Sequence, residues 1–123
     1  MKLLLIDDEQ EICFLLNALL VGYGINTVIA HSLEGARERF AEGPFDGVFL
    51  DVNLPDGKGY ELIPSIRESS PDTRVIVISA MDQEKPNALD AGADLFLPKP
   101  LDRRTIVNGL RTVDLLSNDN LSQ

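Results

Sequence analysis

The chain has 123 residues, of which 44% are hydrophobic and 25% charged, and its net charge is −9. This length fits one domain with a single core, and the charge argues against binding nucleic acid, because phosphates would repel the domain. One cysteine and one histidine exclude an internal disulfide and argue against a structural zinc site, and no apolar run approaches the roughly 20 residues of a membrane helix.

Five short apolar segments are typical of buried β-strands, and they alternate along the chain with helix-like segments. In chain order the predicted strands are residues 3–6, 27–30, 47–50, 75–78 and 95–97. The predicted helices are residues 10–23, 32–41, 60–69, 87–91 and 102–116. Gly24, Gly43-Pro44 and Gly92 mark the ends of three helices, and Ser32 can cap the second helix.

The helices differ in the strength of their apolar pattern. The first has an apolar row at helical spacing, formed by Ile12, Leu16, Leu19 and Tyr23. The last has a second such row, formed by Ile106, Leu110, Val113 and Leu116. The fourth is expected to be short and mobile, because Pro86 fits only a first helical turn and Leu89 is its main apolar anchor.

Five successive strand–helix units with nearly unbroken hydrophobic strands predict a parallel sheet with helices on both faces, which is an α/β fold. The sequence contains no internal repeat and no linker. We therefore expect one domain over residues 1–117 and a polar C-terminal tail at residues 118–123 that frays. Met1-Lys2 leads directly into strand-like sequence, so no signal peptide is expected, and the single Cys13 suits a reducing cytoplasm.

Polar residues follow four of the predicted strands. Asp7 and Asp8 follow the first strand, Asp51 the third, Ser79 the fourth and Lys99 the fifth. The carboxyl ends of parallel strands meet at one rim of an open sheet, where ligands bind. Singly, the acidic pair could be a solvated turn or a helix start, and Asp51 an ordinary loop residue. Together they can hold a divalent cation and a phosphoryl group.

With these residues in place, the chain resembles the receiver domain of bacterial two-component response regulators, the CheY-like family, over residues 1 to about 117. The matching elements are Asp7-Asp8-Glu9, Asp51, Leu54-Pro55-Asp56-Gly57-Lys58-Gly59, Ser79-Ala80, Ala91-Gly92-Ala93-Asp94, Phe96 and Lys99-Pro100. Each element alone is weak evidence for the family, but the whole set together is specific for it. The resemblance implies a flavodoxin-like, doubly wound, five-stranded parallel sheet in the order 2-1-3-4-5, of which this family is a standard example.

The resemblance also implies a role for each rim residue. Asp51 would be the phosphoacceptor, becoming an acyl phosphate by attack on a phosphohistidine or a small phosphodonor. Asp8, Asp51 and the backbone carbonyl of Asn53 would bind Mg²⁺, and Asp7 would act through bound water. Lys99 would neutralise the phosphoryl oxygens.

Ser79 and Phe96 would form the switch of such a domain. The Ser79 hydroxyl would move to bond the phosphoryl group, and the Phe96 ring would turn inward, which changes the face made by the fourth helix, fifth strand and fifth helix. The alternative for Phe96 is a plain core aromatic residue. The Lys99-Pro100 peptide is expected to be cis, as it is in the family.

As a receiver, the domain would take its phosphoryl group from a histidine kinase or a histidine phosphotransfer protein and control a downstream effector. It would be a cytoplasmic signalling phosphoacceptor, not an enzyme, with no nucleic-acid or membrane contact of its own and dimerisation left open. One alternative is a Mg²⁺-dependent phosphohydrolase with an aspartyl-phosphate intermediate, although Asn53 stands where such enzymes usually carry a second acid. The other is an unphosphorylated interaction module.

Two features depart from the family pattern. Cys13, Phe14 and Val21 lie in the first helix where relatives usually carry charge. Phe14, Asn17 and Val21 share one stripe, which is either a docking face for a helical partner or a set of scattered surface residues. Ser79 and Lys99 are also closer in sequence than in most relatives, which again favours a short fourth helix.

Overall fold

The five predicted strands form one parallel sheet in the computed structural model, which describes residues 1–117. The strands are β1 Lys2–Ile6, β2 Asn26–Ala30, β3 Gly47–Asp51, β4 Arg74–Ser79 and β5 Leu95–Pro98. The helices are α1 Gln10–Gly22, α2 Leu33–Phe40, α3 Ile63–Ser69, α4 Glu84–Asp90 and α5 Arg103–Thr112. A 3-10 turn, Gly59–Leu62, precedes α3. The predicted tail, residues 118–123, lies outside the described residues.

The order of the strands in the sheet is β2-β1-β3-β4-β5, which confirms the prediction. Leu4 of β1 pairs with Val28 of β2 on one side and with Val48 of β3 on the other. The strand order therefore reverses between β1 and β3. Open α/β sheets bind ligands outside the carboxyl ends of the strands at this switch point, and Asp7 and Asp51 lie there.

Two apolar layers cover the sheet, because successive side chains of each strand point to opposite faces. One layer lies under α2, α3 and α4 and includes Leu4 and Val48; the other lies under α1 and α5 and includes Leu5 and Phe49. All four of these side chains are fully buried. Burial on both faces explains why the strands read as nearly continuous apolar runs.

The first and last helices differ from their predicted patterns. In α1 the fully buried residues are Cys13, Leu16 and Leu20. The other members of the predicted row, Ile12, Leu19 and Tyr23, are partly buried and pack against the same apolar layer. Apolar residues occupy two neighbouring rows of this helix, and its rotation on the sheet decides which row is covered. Helix α5 ends at Thr112, earlier than predicted, because the chain turns at Asp114 with φ of 63°.

The fourth helix is short, as predicted, but its details differ. It begins at Glu84, three residues before the predicted start, so Pro86 still lies in its first turn, where a missing N–H costs little. Leu89 is 44% exposed and Ala88 is fully buried, so Leu89 is not the anchor of this helix. Each helical residue turns by about 100°, and Ala88 is the residue that faces the sheet.

The remaining boundaries lie within a few residues of the predicted ones. Ser32 caps α2, since its hydroxyl oxygen accepts the Gly35 N–H at 3.0 Å, and Pro64 lies in the first turn of α3. Within residues 1–117, no helix combines the length and apolar character needed to cross a membrane.

Candidate functional site

Buried polar side chains are concentrated at the carboxyl ends of the strands. Among the described residues, four polar or charged side chains are buried, and three of these, Asp7, Asp51 and Ser79, lie at this rim. Asp7 follows β1, Asp51 ends β3 and Ser79 ends β4. Burying such groups is costly unless they are paired or bind a ligand. This rim is therefore the candidate functional site.

Three carboxylates meet at the switch point. Asp7, Asp8 and Asp51 each place a carboxylate oxygen within 4.8 Å of the others. The buried Asp7 Oδ2 has no hydrogen bond of acceptable geometry within residues 1–117, although Lys99 Nζ lies 3.0 Å from it as an ion pair. Carboxylate oxygens are the ligands that Mg²⁺ prefers, and an oxygen without a hydrogen bond fits a cation. The side chains at this rim therefore suit a divalent metal.

Lys99 is the cation of this rim, and it contacts Asp7, Asp51 and Glu9. Its Nζ lies 2.8 Å from Glu9 Oε1, 3.0 Å from Asp7 Oδ2 and 3.6 Å from Asp51 Oδ1. Burial by itself lowers the pKa of Lys99, but the hydrogen bond to Glu9 and the close negative charge of Asp7 outweigh this and raise it above the ordinary value. Lys99 is therefore charged at neutral pH. One ammonium does not balance four carboxylates, so the site remains an attractive place for a further cation.

Asp51 has a perturbed acidity for the same reasons. Its burial and the neighbouring charge of Asp7 raise its pKa to about 7, Lys99 opposes the shift, and Asp8 adds to it. Without a cation, the ionised form of Asp51 is therefore costly near neutral pH. A metal ion that offsets the neighbouring carboxylates would favour the ionised, nucleophilic form.

Ser79 is placed by the strand next to that of Asp51. Asp51 pairs with Ile78 in the sheet, so the Ser79 hydroxyl lies one residue further along the same rim. Its oxygen accepts the Met81 N–H at 3.1 Å, and its carbonyl accepts the Lys99 N–H at 2.8 Å. The hydroxyl hydrogen remains available for donation to a ligand.

One surface depression brings most of the predicted site residues together. It is lined by Asp8, Glu9, Asp51, Asn53, Ser79, Ala80, Met81 and Lys99. Asp7 lies beneath it as a partner of Lys99. The structure thus places five predicted residues around one opening and Asp7 beneath it; the five are Asp8, Asp51, Asn53, Ser79 and Lys99.

Phe96 does not line this depression. Its ring is 7% exposed and belongs to the apolar layer under α2, α3 and α4. The structure records one buried position of the ring, so the inward rotation stays a prediction. The Lys99-Pro100 peptide is cis, as predicted.

Three residues near the rim have contacts that the sequence did not reveal. Glu9 bonds Lys99, Asp56 accepts hydrogen bonds from the N-terminus of α2, and Glu84 accepts one from the Tyr60 hydroxyl. Their partners are more than 20 residues away in sequence. The family motifs contain Glu9 and Asp56 but give no partner for either, and no local pattern identifies Glu84.

Comparison with known proteins gives a family that agrees with this geometry. Residues 3–111 match the family model described as the response regulator receiver domain. Among curated proteins, the chain is 38% identical over 116 residues to the response regulator protein PilR of Pseudomonas aeruginosa, covering 89% of this chain and 26% of PilR. It is 34% identical over 114 residues to the transcriptional regulatory protein CpxR of Escherichia coli, covering 91% of this chain and 48% of CpxR.

Solved structures give the same result. A two-component response regulator from Clostridium difficile superposes with a TM-score of 0.86 at 28% identity, covering 96% of this chain and 98% of that one. The response regulator TrrA of Thermotoga maritima, solved with Mg²⁺ and BeF, superposes with a TM-score of 0.81 at 26% identity, covering 91% and 97%.

The chain belongs to the response regulator receiver family. It is a receiver domain of the two-component signalling class, and receiver domains act as phosphoacceptors in signalling. The chain spans half the length or less of the curated relatives described above. These relatives do not favour the phosphohydrolase or the passive interaction module.

Proposed function

We propose that Asp51 of this domain accepts a phosphoryl group from a histidine kinase or a histidine phosphotransfer protein, and that the acyl phosphate switches a downstream effector. The observation that carries the proposal is the convergence of Asp51, Asp8 and Lys99 at one opening, with Asp7 beneath it. Asp51 ends the central strand β3, contacts Lys99 and lines the opening, whereas Asp7 lies beneath it.

The chemical step is a displacement at phosphorus. A carboxylate oxygen of Asp51 attacks the phosphorus of a phosphohistidine, and a P–O bond forms as the P–N bond breaks. The imidazole leaves with the electron pair of the broken bond and takes up a proton. Lys99 already lies 3.6 Å from Asp51 Oδ1, so its ammonium can pair with an oxygen of the incoming group.

Asp8, Asp51 and the backbone carbonyl of Asn53 would hold Mg²⁺, with Asp7 acting through water. When bound, Mg²⁺ would offset the repulsion between the carboxylates and the phosphoryl oxygens. Ser79 would donate its hydroxyl hydrogen to a phosphoryl oxygen, because its own oxygen already accepts the Met81 N–H. We propose that this bond and a movement of Phe96 transmit the signal to the face of α4, β5 and α5.

Helix α1 offers a surface for the phosphodonor. It begins directly after the acidic rim, and its exposed apolar residues include Phe14 at 76% and Val21 at 58%. Asn17, between them, is half-buried and accepts a hydrogen bond from Thr27, so the predicted stripe is apolar only at its ends. We propose Phe14 as a docking contact for a helical partner that reaches Asp51.

We propose that the protein acts in the cytoplasm, where the buried Cys13 would stay a reduced thiol. Residues 1–117 would fold as one receiver unit. This unit would catalyse only its own phosphorylation and slow dephosphorylation, and it would not turn over external substrates. The phosphohydrolase alternative would need a second acid at the position of Asn53.

Incubation with acetyl phosphate and Mg²⁺ tests this function. We expect a gain of about 80 Da on the intact protein, the mass of one added phosphoryl group, without turnover of other phosphoesters. Steady hydrolysis of varied phosphoesters would support the hydrolase. No adduct and no turnover would support the passive module.

A further inference from the structure

We infer that Asp56 is a positioning residue for the metal and phosphoryl site, because it fixes the loop that carries Asn53. This inference rests on the proposed function, since Asn53 is a proposed metal ligand through its backbone carbonyl. The loop concerned, residues 52–59, is called the acceptor loop below. Asp56 lies at its tip and contacts neither the depression nor the other acids of the rim.

The Asp56 carboxylate joins the acceptor loop to helix α2. Its Oδ1 accepts the Leu33 N–H at 2.8 Å, and its Oδ2 accepts the Glu34 N–H at 3.0 Å. These bonds lower the pKa of Asp56, first through Glu34 and then through Leu33. The carboxylate is therefore an anion at neutral pH, which the positive end of the helix dipole also favours.

Helix α2 has a second, local cap. Ser32 accepts the Gly35 N–H at 3.0 Å, so Ser32 and Asp56 together bond the first three N–H groups of the helix. A serine cap alone is enough to begin an ordinary helix. The two bonds to Asp56 therefore have a further effect, which is to hold the tip of the acceptor loop in place.

Apart from Asp56, the acceptor loop is held by a short backbone ladder, by the bonds of Lys58 to Glu61 and Asn53, and by the buried side chains of Val52 and Leu54. Asn53 pairs with Lys58 and Leu54 with Gly57, and the Gly59 N–H donates to the Val52 carbonyl at 2.8 Å. An isolated two-stranded ladder of this length is not stable by itself. Movement of the tip would pass through the Asn53–Lys58 pair to the Asn53 carbonyl, so Asp56 controls the direction of a proposed metal ligand.

The backbone around the loop is tightly packed against the acceptor. A side chain at Gly59 would place its Cβ 2.2 Å from the Asp51 carbonyl oxygen, so the end of the loop lies directly against the acceptor residue. A small displacement of the loop therefore reaches the site. Residues that orient metal ligands typically change metal affinity by about 10- to 100-fold when they are removed.

Two single variants separate the loop effect from the helix effect. Asp56→Ala and Ser32→Ala each remove a cap of α2, but only Asp56→Ala disconnects the acceptor loop. Three measurements compare the variants with the wild type. They are Mg²⁺ affinity from calorimetry, amide hydrogen exchange over residues 52–59, and the dependence of phosphorylation on acetyl phosphate concentration. Asp56→Asn, which keeps one carbonyl acceptor, replaces Asp56→Ala if the alanine variant does not fold.

We expect Asp56→Ala to weaken Mg²⁺ binding on the order of tenfold and to speed exchange in the acceptor loop. We expect Ser32→Ala to lower stability while Mg²⁺ affinity and loop exchange stay as in the wild type. Equal Mg²⁺ affinity and equal loop exchange in both variants would overturn the inference. If the wild type neither binds Mg²⁺ nor gains a phosphoryl group, the proposed function fails, and loop exchange alone then decides whether Asp56 fixes the loop.

Discussion

Two loops follow neighbouring strands at the same rim, and tertiary contacts hold one of them in place more firmly than the other. The acceptor loop after β3 is tied to α2 by Asp56 and closed on itself by the Gly59–Val52 bond. The segment after β4, residues 80–90, which we call the switch segment, is held by turn bonds and by the seven residues of α4. Ala88 is the one buried residue of that helix.

The more firmly held acceptor loop is the one at the proposed phosphorylation site, and the less firmly held switch segment is the one proposed to respond to phosphorylation. A residue that must meet a metal and a phosphoryl group gains from a fixed loop, whereas a segment that must change position gains from weak local packing. Tyr60, the residue directly after the acceptor loop, connects to the switch segment, because its hydroxyl donates to Glu84, mainly to the carboxylate. Burial, and then this bond, raise the pKa of Tyr60, so the hydroxyl keeps its proton and can donate.

The largest effect is expected from Asp51→Asn, which removes the acceptor and leaves both loops in place. Phosphorylation by acetyl phosphate should fall to background. The fold should persist and its unfolding free energy should rise by about 1–2 kcal/mol at neutral pH, because an ionised carboxylate leaves a repulsive cluster. Intact-mass measurement and thermal melts check both outcomes, and near wild-type phosphorylation of the variant would remove Asp51 from the account.

Mg²⁺ should stabilise the acceptor side of the rim without any phosphoryl group. The ion binds the native state only, so at ten times its dissociation constant it should add about 1.4 kcal/mol to the unfolding free energy. Asp8→Ala should lose this gain, whereas Asp72→Ala, which removes an exposed acid away from the rim, should keep it. Melts with and without millimolar Mg²⁺ decide, and an undiminished shift in Asp8→Ala would place the metal elsewhere.

The stability of the metal-free protein should depend on pH through Asp51. Its pKa is raised from 3.8 to about 7 on folding, so the folded state holds the Asp51 proton more tightly than the unfolded state. This contribution is fully present below about pH 4 and is lost as pH rises through about 7. The stability advantage of Asp51→Asn over the wild type should therefore grow across this window. An advantage that is constant between pH 4 and 8 would contradict the raised pKa.

The smallest effects concern the switch segment. Amide exchange over residues 80–92 should be faster than in α1, which buries Cys13, Leu16 and Leu20. Tyr60→Phe removes the bond to Glu84, costs about 1 kcal/mol, and should speed exchange in α4 further. Tyr23→Phe is the control, since it removes a tyrosine hydroxyl that contacts Arg103 on α5. If the amides of α4 exchanged as slowly as those of α1 in the unphosphorylated wild type, the switch segment would not be the more weakly held region.

Features that depend on local pattern were predictable from the sequence. The apolar runs located all five strands, and the parallel order then brought Asp7, Asp51 and Lys99 to one rim. The Ser32 cap and the end of α1 before Gly24 also followed from local rules. These features can be predicted because the residues that determine each strand, helix or cap lie within or next to it in the sequence.

Features that depend on distant partners were not predictable in the same way. The covered row of α1 and the choice of Ala88 over Leu89 are set by how each helix is rotated on the sheet. The bonds of Asp56 to α2 and of Tyr60 to Glu84 join residues 22 to 24 positions apart. No sequence period encodes such pairs. The Asp56 bonds fix the acceptor loop, whereas the Tyr60–Glu84 bond connects the residue after that loop to the switch segment.

Chemical mapping of the phosphorylated residue is the sharpest test of Asp51 as the acceptor. Borohydride reduces an aspartyl phosphate to homoserine, and peptide mass mapping after treatment with acetyl phosphate and Mg²⁺ then locates the modified residue. We expect homoserine at position 51, none at positions 7 or 8, and none anywhere in Asp51→Asn. Homoserine at another position, or its persistence in the Asp51→Asn protein, would contradict the assignment of Asp51 as the phosphoacceptor.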